Sequence, residues 1–166
     1  MTMHTPSSPI EILEQKRLAV AKTNGFALFL IGPDKNTPGF VYSTGMAQHQ
    51  LPEILAFFPG STENGREVCN VVDHICEMLL AASTHIAPIT LIKAMISSPL
   101  QMGEPDSQFT FKFLGGDDCS HALNVYLTRA TLFRQELGLP VGVLTMHHPD
   151  VPSFQHIRAQ RMLDRS

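Results

Sequence analysis

Only three cysteines, Cys69, Cys76 and Cys119, occur in 166 residues, and no two form a CxxC pair. An odd count without paired spacing fits a reducing, cytoplasmic compartment better than a disulfide framework. Cys69 and Cys76 are seven apart on an expected helix, about 10 Å along its axis, which is too far for them to bridge each other. Basic residues are also scarce: the formal charge is -3 and the pI about 6.2. With no stripe of Lys and Arg to neutralise phosphates, a nucleic-acid partner is not expected. The apolar runs, such as 25–32 and 78–82, fall well short of the roughly 20 residues that span a bilayer. A basic start followed by an apolar core is missing as well, so neither a membrane partner nor a targeting segment is expected. No GxSxG elbow, HExxH helix, phosphate-binding loop or dinucleotide fingerprint is present, and the sequence names no cofactor.

What is present is enough for one core. The chain is 43% hydrophobic and 16% charged, and a domain of this length buries roughly two thirds of the surface its unfolded chain exposes. Residues 1–8 read as an arm. Ser8-Pro9-Ile10-Glu11 supplies a cap, a first-turn proline and an acid for a helix ending at Gly25. Phe26 to Ile31 reads as a strand covered on both faces, returning through the turn at 32–36 to Phe40–Thr44. Pro52 to Phe58, opening on a proline and an acid, reads as one or two helical turns. Val68, Val72, Ile75, Cys76 and Leu79 recur at helical spacing in a long helix from Thr62 to Ala82 or Ser83.

Ile89 to Ile96 is equally consistent with helix and strand, and 99–107 with a loop. Phe109-Thr110-Phe111-Lys112-Phe113 alternates strictly, the mark of a half-buried strand. A helix from Asp118 or Ser120 to Leu137 and a last strand over Val141–Met146 complete a single domain at 9–154. Residues 155–166 read as a tail or a short helix. Strands and helices mixed without regular alternation give an α+β class, with a mixed or mainly antiparallel sheet and three to four helices.

The stretch Pro38-Gly39-Phe40-Val41-Tyr42-Ser43-Thr44-Gly45-Met46 turns from an apolar run into a hydroxyl-bearing tip ending in glycine, the kind of strand end that presents polar groups to a pocket. Glu53 follows closely. With Asp150 and His147 or His148 brought near by strand pairing, a carboxylate and an imidazole would form an acid–base pair. The competing reading has Tyr42 filling the core, its hydroxyl on backbone, with Glu53 serving a helix N-terminus. His147 and His148, adjacent on a strand, point to opposite faces unless the strand has already ended, so surface or satisfied histidines explain them better than a metal site at the strand end shared with Asp150 and His49, His85 or His121. Cys69, Asp73, His74 and Cys76 lie on the long helix, where two cysteines packed in the core explain the pattern better than a ligand set. Gly115-Gly116-Asp117-Asp118 reads as a turn and helix start, its two acids unsuited to phosphate.

The order of these motifs resembles the bacterial and phage family termed domain of unknown function 4262. The resemblance covers about residues 25–154 and rests on Tyr42, Thr44, Gly45, Pro52, Glu53, Asn70, Pro149 and Asp150. The sequence departs from the family pattern at His148, where a tryptophan is expected, and at Val151-Pro152-Ser153-Phe154, where a glycine-containing end is expected. The family brings no established activity. The resemblance adds Asn70 and Asp150 to the neighbours of the tip.

Three functional readings follow. The favoured one is a binding domain for a small ligand or protein partner, with Tyr42, Ser43, Thr44, Glu53, Asn70 and Asp150 lining a polar pocket at the 40–46 strand end. The alternative is a hydrolase-type enzyme drawing its acid and base from Glu53, Asp150, His147 and His148. The third is a homo-oligomeric interaction protein joined through exposed Met and Phe side chains.

Overall fold

The computed structural model describes residues 9–35, 37–97, 100–101, 108–130, 138 and 141–164. Residues 1–8, most of 98–107 and the expected end of the helix at 131–137 lie outside them. Helix α1 (Pro9–Asn24) stops where Gly25 takes φ +100°, and β1 (Ala27–Ile31) pairs antiparallel with β2 (Gly39–Thr44), so the expected hairpin is formed. β1 is the sheet edge and its last residue, Ile31, is exposed, so the strand is less covered than its apolar run implied.

The segment expected as helical turns is a strand. β3 (Glu53–Phe58) is buried at every position, antiparallel to β2 and parallel to β6 (Val143–His147). A short apolar run buried on both faces carries neither a period of 2 nor one of 3.6, so Pro52 and Glu53 resembled a helix start by default. β5 (Gln108–Leu114) lies antiparallel on the other side of β6, and the short β4 (Leu100–Gln101), expected as loop, pairs with its first residues. The result is a mixed sheet in the order β1-β2-β3-β6-β5, with β4 at the far edge.

Five helices accompany the sheet among the described residues, giving one α+β domain. Helix α2 (Thr62–Ala82) lays Val68, Val72, Ile75, Cys76 and Leu79 on one face, as their spacing requires, joined there by α3 (Pro88–Ser97) through Leu91. The 88–97 segment is thus resolved as helix. The opposite face is covered by α4 (Gly116–Val125) and α5 (Phe154–Asp164). Helix α4 ends earlier than expected because Tyr126 turns into the core. Its ring meets Phe40 and Phe57 edge-on, at 5.3 and 5.1 Å between centroids. Helix α5 is docked by Phe154 and Ile157 and by the 2.6 Å Arg158–Asp118 ion pair, so the segment expected as a tail or a short helix is a helix that packs with the domain.

Candidate functional site

The strand-end tip is built around one buried carboxylate. β2 gives way at Gly45, whose φ is +115° and where an added Cβ would stand 2.8 Å from the Gly25 carbonyl oxygen, to a 3-10 helix at Met46–His49. Glu53, returning at the start of β3, points into this connection. Its Oε1 accepts the Ser43 hydroxyl at 2.9 Å and the Met46 amide at 3.1 Å, and its Oε2 accepts the Gly45 amide at 2.9 Å. Ser43 Oγ in turn accepts the Ile54 amide at 2.8 Å. Glu53 therefore caps the orphan donors at the start of the 3-10 helix, which no residue of that helix could satisfy.

Ser43, Thr44 and Glu53 are wholly buried and Tyr42 nearly so. Burial pushes the Glu53 carboxyl up to about 7, opposed by the Ser43 hydroxyl and the amides of Gly45, Met46 and Ala47. The Tyr42 ring stacks on Phe29 at 5.1 Å, and its hydroxyl accepts the Arg129 amide at 3.4 Å. The tip expected at a pocket mouth is thus sealed within the fold. Hydroxyl-rich sequence at a strand end signals polar partners; here those of Tyr42, Ser43 and Glu53 are protein groups, whereas the buried Thr44 Oγ1 finds none among the described residues.

The remaining expected residues lie elsewhere. Glu53 stands opposite Val143 at the start of β6, four residues before His147, so roughly 13 Å of parallel strand separates them. Glu53 forms no acid–base pair with His147, His148 or Asp150. Asn70 is on the solvent side of α2. Asp150 is 78% exposed, with its carboxylate 3.9 Å from His148 Nδ1, while that same nitrogen accepts the Asp150 amide at 3.0 Å. An Nδ1 that accepts an N–H hydrogen bond carries no proton to donate to the carboxylate, so His148 and Asp150 are not arranged as an imidazole and its orienting acid.

β6 ends at His147, so the alternation expected of the two histidines reaches only that residue. The His148 ring packs edge-on against Phe109, yet His147 and His148 both border a cavity under α5, together with Thr145 of β6. Cys76 is buried in the core and Cys69 half-buried, both as free thiols like Cys119. Among the described residues no three His, Cys, Asp or Glu side chains gather as a metal-holding group. No described helix is long and apolar enough to cross a membrane.

That cavity, of about 250 Å³, was not located from the sequence. The β5–β6 register sets Thr110 opposite His147 and Lys112 opposite Thr145, so four polar residues share one face. Phe57 and Phe154 form apolar walls, and Ser153 caps α5 beside them by accepting the His156 amide at 3.2 Å. The alternation in 109–113 did mark Thr110 and Lys112 as a polar face. Nothing local indicated that β6 would supply the other half. No family model, curated protein or solved structure matches the chain.

Proposed function

We propose that this protein is a small-molecule binding domain whose site is the cavity between the polar face of β5–β6 and the start of α5. One observation carries the reading: the cross-strand register assembles Thr110, Lys112, Thr145 and His147 on the floor of a concave space walled by Phe57 and Phe154. A few convergent polar groups within apolar walls are what a ligand pocket requires. Among the described residues the Glu53 carboxylate is occupied by the Ser43 hydroxyl and the Gly45 and Met46 amides.

Kinship with domain of unknown function 4262 belongs to the same proposal. It is supported by the way Tyr42, Thr44, Gly45, Pro52 and Glu53 fall together at one strand connection. A cytoplasmic setting is part of it too, supported by the three free thiols. The test is an NMR fragment screen of 15N-labelled protein. Hits are expected to move the amides of Thr110, Lys112, Thr145, His147 and Phe154 together. A screen in which no fragment moves that set would overturn the reading.

A further inference from the structure

Resting on that reading, we infer that the β5–β6 cavity selects a small organic anion, its acidic group held by Lys112 and its apolar body lying between Phe57 and Phe154. The argument is from charge. The protein carries a formal charge of -3, yet among the described residues neither Asp nor Glu lines this cavity, and Lys112 is the one formally charged side chain that does. A neutral or cationic ligand would gain nothing from the ammonium of an exposed lysine on the lining. An anion gains a charge-assisted hydrogen bond from it. The Thr110 and Ser153 hydroxyls border the same space. Among the described acids, Asp150 sits at the exposed turn beside His148, and Asp118 is paired with Arg158.

Size and walls narrow the class. A space of about 250 Å³ lies just under the range of drug-sized pockets, which begins at about 300 Å³. It suits a single ring or a short branched chain and is too small for a nucleotide. Phe57 is a core residue on the same sheet face, and Phe154 is anchored in the core by α5, so both walls are fixed before a ligand arrives. The occupant expected from this chemistry is a ring or branched-chain carboxylate.

Three probes test this by NMR titration: benzoate, its neutral isostere benzamide, and inorganic phosphate. Benzoate is expected to shift the amides of Lys112, Thr145, His147 and Phe154, and to bind about tenfold more tightly than benzamide. Phosphate, with charge but no apolar body, is expected to bind more weakly than benzoate. Lys112→Met should abolish the preference for benzoate over benzamide while leaving benzamide shifts in place; Lys112 is exposed, so its fold should be retained and the dispersed spectrum verifies it. Equal binding of benzoate and benzamide overturns the anion inference but leaves the cavity as a binding site. Phosphate binding as tightly as benzoate overturns the apolar half. Failure of all three to shift those amides overturns the inference, whereas the cavity reading then stands or falls by the fragment screen.

Discussion

The Ser43 hydroxyl lies 2.9 Å from Glu53 Oε1, ten residues away in sequence, and both residues are completely shut off from solvent. A buried carboxylate with only hydroxyl and amide partners is costly to keep ionised, and its cost or benefit depends on pH.

The Glu53 carboxyl is raised from 4.5 to about 7 in the folded protein. Between those values the native state binds more protons than the unfolded one. Its contribution is therefore fully present below the unfolded pKa and declines as pH rises through 7, by at most about 3 kcal/mol. Glu53→Gln removes this dependence and turns an amide NH2 toward groups that are themselves donors, costing about 1–3 kcal/mol at pH 5. Urea unfolding of both proteins should show the gap narrowing toward pH 7. A gap that widens would mean the cluster holds the ionised form.

Phe58 is clasped between two glycines. An added Cβ at Gly39 would stand 2.1 Å from its ring, and one at Gly65 would stand 2.6 Å away. Gly39→Ala is expected to cost about 2 kcal/mol or more by overpacking. Pairing it with Phe58→Leu should cost less than the two single changes added together, because they share one space. Strict additivity in denaturation experiments would contradict the contact.

Thiol chemistry should separate the two cysteines of α2. Burial pushes both thiols up; the charge of Asp73 raises Cys69 further while Arg17 opposes it. Native protein treated with iodoacetamide should be modified at Cys69 well before Cys76, which reacts only on unfolding. Asp73→Asn should speed the Cys69 reaction and Arg17→Ala slow it. Mass spectrometry of timed digests reads both rates, and early modification of Cys76 would show that the α2 face is open.

His147 is held below its usual 6.5 by partial burial and then by His148. Its neutral form is favoured in the fold, so its contribution is present above 6.5 and is lost as pH falls through the lowered native value. An NMR titration of the ring should give a midpoint under 6.5, and His148→Ala should move it upward. A midpoint above 6.5 would require an acidic neighbour that the cavity lacks.

Much of the architecture could be read from local pattern. Pro9 marks the start of α1, and the 3.6-residue spacing of Val68, Val72, Ile75 and Leu79 and the alternation of Phe109 and Phe111 with Thr110 and Lys112 record which face of one element meets the core, so no partner need be known. The site was less legible. Ser43, Thr44 and Glu53 stand out in the sequence as candidate pocket residues, but a sequence does not say whether such polar groups meet a ligand or the chain itself; Ser43 and Glu53 bond each other, and Thr44 Oγ1 is buried without a partner among the described residues. Lys112 was visible as one side of a strand, and its role depended on what lay opposite.

The sequence alone thus determined the α+β class, the α1 and α2 helices, the β1–β2 hairpin and the special status of Glu53, because each is written in periodicity, capping or composition. Tertiary structure alone decided that 53–58 is a strand, since a run buried on both faces has no period to read. It also decided that β3 and β6 run parallel. That single choice of direction puts Glu53 at one end of the sheet and His147 at the other. It leaves the carboxylate to cap a turn inside the fold and the imidazole, with Lys112, to face an open cavity.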